Sequence, residues 1–455
     1  MLNHRGLYGN INHKITSEVR VLKKYIKHAI FILIIIILFL GVYFNLPTKT
    51  SSSGVQYFGW WADEYMISDL SYRQNYSVES PFLNGVTMES TLEKGEFRQA
   101  YKRYIKNETF LIEEYRQYDG NITAHRYVYA LLDKVLPISN FNTLRLFNII
   151  NSLLMAIMVA IILMWIGKKT NHIIAFGLAI LLAFFAPHFA MFGRSIYWVA
   201  WLVLMPMVVS IFVVEGKYLK QKNRYFIVGL LALITCLVKQ LCYFEYITTV
   251  AVAMAIPYIY YFVENKCEIK EALKIMLSLI CGFLVSFVLS MIIIIIMTYI
   301  EIGEVAKSID YVVHHIFLRT SMEYGMNVGE VSDSTSLNVV QVLSRLKKMP
   351  AFSIKNSSIY QSEVIYITGA FSILSFSLCI KKSWNMRSKT VPFLVTTWIS
   401  VLAPLSWIIL STPHVSVHGQ NSSFFWFVPF LILAMALIMW VSFLVIEHFI
   451  RSLRN

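Results

Sequence analysis

Asp63 and Glu64 stand side by side in the stretch Trp60-Trp61-Ala62-Asp63-Glu64-Tyr65, with Asp69 a helical turn further on. One carboxylate of such a pair can take the proton of an attacking hydroxyl while the other orients an acceptor or a cation. Trp60 and Trp61 add flat aromatic faces. The stretch follows shortly after a long apolar segment, so any chemistry it performs is done just outside a membrane, on a polar group. The blander reading is a solvated acidic loop beside an interfacial tryptophan belt.

The surrounding chain is built to place that stretch. It has 455 residues, is 57% hydrophobic and carries a net charge of +14. Its mean hydropathy is +0.59. A soluble domain holds about 45–50% apolar residues, so the expected fold is an all-α polytopic membrane protein. Apolar segments at 28–46, 144–166, 172–192, 195–215, 225–240, 243–263, 274–299, 364–380, 390–410 and 424–447 give about ten transmembrane helices. Residues 1–27 form a basic tail, 47–141 and 301–362 two long outer loops, 142–300 the second to seventh spans, 363–447 the last three, and 448–455 a short tail. The first apolar run is too long for a signal-peptide core and is expected to stay as an anchor.

The positive-inside rule fixes an expected orientation. Arg5, Lys14, Arg20, Lys23, Lys24 and Lys27 precede the first span. Lys168 and Lys169, the 217–224 cluster, the 266–274 cluster and 381–389 occupy alternate short loops. Both termini then face the cytoplasm. The positive charge is explained by these loops, with no nucleic-acid partner. The five cysteines show no CxxC spacing, and neither a disulfide framework nor a zinc site is expected.

With that orientation, the isolated ionisable residues near span ends gather on the outer face. Arg194 sits in Gly193-Arg194-Ser195-Ile196-Tyr197-Trp198, and Lys239, Tyr243 and Glu245 in the next outer turn. His414 and His418 occupy the last outer turn. Charged groups at such depths are costly and mark function or a paired partner. Arg194 could also be a snorkelling anchor, and Lys239 and Glu245 could simply neutralise one another. The i,i+4 histidines would suit a metal on a helix, but Pro413 and Gly419 argue against one and no third ligand is near. Hydrogen-bond or phosphate-contact roles are expected for them, with no metal and no other cofactor.

A phosphate-linked lipid substrate uses all these pieces. Arg194 and Lys239 would meet its phosphate, Asp63 or Glu64 would take the acceptor proton, and Trp60, Trp61, Tyr197 and Trp198 would stack on sugar. The layout resembles the GT-C superfamily of polytopic glycosyltransferases, whose members carry an acidic catalytic residue early in the first outer loop. Within it, the Arg194 and Tyr243–Ile247 turns and His414…His418 look like bacterial Gtr-type enzymes that decorate O-antigen or other surface polysaccharides.

That resemblance implies a polyprenyl-phosphate sugar donor and a lipid-linked glycan acceptor, with Asp63 as base. It also implies a bacterial inner membrane with the site facing the periplasm, and a donor synthase and flippase as pathway partners. The soluble C-terminal domain of oligosaccharyltransferase-like members is not expected here, which favours a glycan over a protein acceptor. Two alternatives stay open among active roles. An O-antigen polymerase or ligase would use Arg319, Arg345, Lys347 and Lys348 of the late loop. A flippase or transporter would need polar groups near the bilayer midplane, where the spans are almost wholly apolar. A non-catalytic scaffold is the third.

Overall fold

The computed structural model describes residues 25–47, 53–76, 85–88, 98–108, 111–118, 122–216, 218–321, 338–355, 357–381 and 384–454. Among these, eight helices are long and apolar enough to cross a membrane, nine if one bent pair is counted as a single span. The chain is therefore a multi-pass, overwhelmingly helical membrane protein. The basic tail up to Lys24 lies outside the described residues.

The difference from ten spans has a local cause. The segment 172–192 is two helices, His172–Phe185 and Pro187–Arg194, bent by 81°. Pro187 cannot donate into the preceding helix and instead starts the next one. The segment 195–215 is helical only from Trp201 to Glu215. Fifteen helical residues rise about 22 Å, short of a bilayer core of roughly 30 Å. Residues 195–200 leave the helix for another purpose.

Apolar spans have no hydrophobic drive toward one another in lipid, and close packing must hold them together. The helices Arg224–Cys242 and Ile269–Ile302 show how. A Cβ on Gly282 would stand 2.2 Å from the Gly229 carbonyl oxygen, so only glycine allows this crossing. At one end of the bundle, loops distant in sequence are tied by ion pairs. Lys168 pairs with Glu215, Lys169 with Glu215 (3.2 Å) and Glu264 (2.7 Å), and Arg224 with Glu271 (2.7 Å).

The two long loops pack at the other end. The first holds the helix Ser53–Tyr76, an antiparallel ladder of β1 (Val86–Met88) with β2 (Tyr115–Gln117), the helix Gln99–Lys106 and the helix His125–Val135. The last leaves Val128, Leu131 and Val135 exposed along one stripe, as an interfacial helix would. The second loop holds Val305–Thr320, Val339–Leu346 and the hairpin of β3 (Pro350–Ile354) and β4 (Ser357–Tyr360).

Asp69 fixes the Ser53–Tyr76 helix in this assembly. It accepts from Arg73 at 2.8 Å and from Arg126 at 3.0 Å, and the Arg126 guanidinium is buried. Breaking a buried pair from one side strands the other charge, at about 3–5 kcal/mol. Asp69→Ala is therefore expected to lower the melting temperature in detergent sharply. The double variant Asp69→Ala/Arg126→Leu should lose less than the two single losses added together, because the stranded charge is gone.

Candidate active site

Asp63 lies on the Ser53–Tyr76 helix where it meets the non-helical turn after Arg194. Its Oδ1 accepts three hydrogen bonds: from the Ser195 hydroxyl at 2.5 Å, the Ile196 N–H at 3.0 Å and the Tyr197 N–H at 3.2 Å. The Ser195 oxygen in turn accepts from the N–H groups of Tyr197 and Trp198, each at 3.2 Å. Successive amides aimed at one acceptor make an anion-binding nest, and this is what residues 195–198 do instead of continuing a helix. The other oxygen, Oδ2, has no hydrogen-bond partner among the described residues.

Asp63 lines a cavity of about 450 Å³, within the usual range for ligand sites. Arg98, Arg145 and Arg194 line it, as do Asn45, Asn148 and Tyr101. Arg98 lies 4.7 Å over the Tyr101 ring, and Arg145 donates to the Tyr43 hydroxyl at 2.9 Å. Arg194 has no hydrogen bond or ion pair among the described residues. Phe44 and Phe141, both about half exposed, stand at the cavity beside the ends of their spans. Three forked cations in a partly apolar recess suit a phosphate with a lipid attached.

The two carboxylates have separate employment. Burial raises the Asp63 carboxyl to about 6, against the Ser195 and backbone donors and the Arg194 charge, which pull it down. Burial likewise raises Glu64 to about 7. Glu64 is 1% exposed, and its oxygens accept from the N–H groups of Ala100 (2.9 Å) and Tyr101 (3.3 Å). Those are the opening amides of Gln99–Lys106, whose own N-cap, Arg98, offers no side-chain cap. Glu64 therefore holds the helix that presents Arg98.

The other expected site residues lie elsewhere. Lys239 is not on the cavity: it is buried, donates to the Glu245 carbonyl and sits 5.5 Å over the Tyr243 ring. A separate buried centre forms around Glu245, which meets Tyr243 (2.7 Å), His414 (3.0 Å) and Arg319 (3.4 Å). Burial pushes Glu245 upward, but those partners outweigh it and hold the carboxyl well below the usual range. The His414 and His418 rings are 4.7 Å apart, and burial lowers His418 to about 3. The helix breaks at His418, as Gly419 suggested. Among the described residues no three His, Cys, Asp or Glu side chains converge on a metal position.

Tyr197 and Trp198 are corrected from sugar platforms to wall. Both are buried: Trp198 packs on Phe192 (4.8 Å) and Tyr243 (5.1 Å), and the Tyr197 hydroxyl meets that of Tyr118 at 2.5 Å. Together with Tyr65 and Tyr243 they separate the Asp63 cavity from the Glu245 centre. Trp60 and Trp61 lie on the Ser53–Tyr76 helix, with side chains outside the described residues.

Sequence reading passed over Arg98, Arg145 and Ser195. Arg145 carried a signal, a lone cation in the first turn of an apolar run. Arg98 carried none, since it sits in a polar loop without periodicity.

No family model, no curated protein and no solved structure matches this chain.

The division between the two acids is testable by stability. Glu64→Ala strands two buried amides and is expected to cost about 1–3 kcal/mol, read as a lower melting temperature in detergent. Glu64→Gln keeps one acceptor oxygen and should lose less than half of that.

Proposed function

We propose that this protein is a membrane glycosyltransferase that moves a sugar from a polyprenyl-phosphate donor to a lipid-linked glycan. The GT-C-like, Gtr-type reading of the sequence places it in a bacterial inner membrane, with the cavity toward the periplasm. One observation carries the proposal. Asp63, whose Oδ2 has no hydrogen-bond partner among the described residues, lines the same cavity as Arg98, Arg145 and Arg194, beside two span ends.

In this reaction the acceptor hydroxyl oxygen bonds to the anomeric carbon while Oδ2 of Asp63 takes its proton. The bond from that carbon to the phosphate oxygen breaks, and its electron pair leaves with the lipid phosphate. Arg98, Arg145 and Arg194 stabilise the charge gained there. Holding Oδ1 in three hydrogen bonds leaves one oxygen to act, and burial lifts the carboxyl toward the working pH, which makes it a better base. Glu64, itself on the cavity wall, supports this geometry by holding the amides of Ala100 and Tyr101 in the helix that follows Arg98.

The late-loop polymerase reading gains nothing comparable. Arg319 is committed to Glu245, and Arg345 donates to the Ser416 carbonyl at 3.1 Å, away from Asp63.

The test is transfer by purified protein in lipid nanodiscs, against a panel of polyprenyl-phosphate sugars and the host's lipid-linked glycan. Asp63→Asn should cut kcat by about 10²–10⁴-fold while leaving donor binding intact. Each of Arg98→Ala, Arg145→Ala and Arg194→Ala should raise donor KM roughly tenfold or more, the worth of one charge-assisted hydrogen bond. Normal transfer by Asp63→Asn would end the proposal.

The pH dependence follows from the same carboxylate. A base must be ionised, so transfer should rise as pH climbs through about 6 and level off above it. The Ser195 hydroxyl favours the charged form. Its removal in Ser195→Ala should therefore move the inflection to higher pH.

A further inference from the structure

The Asp63 turn is held from behind by a residue that touches neither the cavity nor Asp63. His125 is buried at the start of His125–Val135, and its Nε2 lies 3.1 Å from the carbonyl oxygen of Ile196. A carbonyl can only accept, so Nε2 carries the proton and donates. Ile196 is the middle residue of the turn whose donors hold Oδ1 of Asp63. The start of the His125 helix is itself anchored, because the Ala124 N–H donates to the Leu241 carbonyl at 3.1 Å.

The turn needs such support. Val199, directly after it, has φ of +38°, a costly conformation for a β-branched residue, and such strain persists only where surrounding contacts over-determine it. Burial lowers the His125 ring to about 4, so it stays a neutral donor across ordinary pH.

We propose that His125 is a positioning residue: by holding the Ile196 carbonyl it fixes the strained turn whose donors hold Oδ1 of Asp63 at the edge of the cavity. This rests on the reading of Asp63 as the base, but it concerns the turn and has a readout of its own. Asp63 is also influenced by Arg194, and it acts on Glu64 and Tyr129. His125 is influenced by Arg126 and the Cys242 backbone.

The experiment compares wild type, His125→Phe and His125→Gln in lipid nanodiscs. Phe keeps the volume of the ring and removes the donor, whereas Gln keeps an amide N–H that can reach Ile196. Melting temperature, donor KM, kcat and the infrared titration of ¹³C-labelled aspartate carboxyls are measured, with Asp63 assigned from the band missing in Asp63→Asn. We expect His125→Phe to fold and bind donor normally, yet to lose about 10²-fold in kcat through misplacement. Its Asp63 band should titrate at higher pH, and His125→Gln should recover most of both properties.

A folded His125→Phe with wild-type kcat and an unmoved Asp63 titration would overturn the proposal. Should His125→Phe not fold, His125→Gln is set against His125→Asn, whose amide is one methylene too short. A Gln variant closer to wild type in kcat and Asp63 titration supports the proposal, and equal behaviour overturns it. The infrared titration needs no turnover. A protein that transfers no sugar but shows the shift keeps His125 in this role and loses only the transferase reading.

Discussion

The structure of this end of the bundle depends on one carboxylate oxygen. Oδ1 of Asp63 gathers a hydroxyl and two backbone N–H groups from residues 195–197. A carboxylate taken from water needs such donors, and a helix cannot supply them from its middle, where its amides are already bonded. The chain therefore gives up helix at 195–200 and starts Trp201–Glu215 late. The break at Pro187 brings the preceding Pro187–Arg194 helix across to the motif helix. The polar contact explains the short helix, and Pro187 supplies the bend that lets the contact form.

The same economy separates two polar centres that sequence alone places together. Arg98, Arg145 and Arg194 line one cavity with Asp63. Glu245, Arg319, His414 and Tyr243 close on one another. The first arrangement gathers three cations on one cavity, which suits an incoming anion. The second satisfies its charge internally and ties Val305–Thr320 to the last outer turn, where the Ser411 hydroxyl also donates to the Arg319 carbonyl. Tyr65, Tyr197 and Tyr243 form a chain of ring contacts between the two.

What was legible in the sequence follows from range. Long apolar runs announce spans by themselves, and the span ends at 140–169, 224–242 and 269–302 fall within a few residues of the expected ones. The pairing of Asp63 with the Arg194 turn was also readable, because topology put both beyond the same face. Lys239 was misplaced for the opposite reason. Its neighbours in sequence, Tyr243 and Glu245, capture it locally, and no periodicity reveals that a charge is already spent. Arg98 reaches the cavity only because Glu64 holds its helix from 36 residues away, a contact that the sequence does not announce. The nest at 195–198 depends on backbone N–H groups, which every residue type except proline carries.

The central claim is that the Asp63 cavity is where a lipid-linked sugar phosphate sits. The most direct measurement is a cryo-electron microscopy structure of Asp63→Asn with a polyprenyl-phosphate sugar bound, since that variant should bind donor without consuming it. The account predicts the phosphate against Arg98, Arg145 and Arg194, with the anomeric carbon beside the residue-63 side chain. A phosphate found instead at Arg319 and His414, with the Asp63 cavity empty, would contradict it.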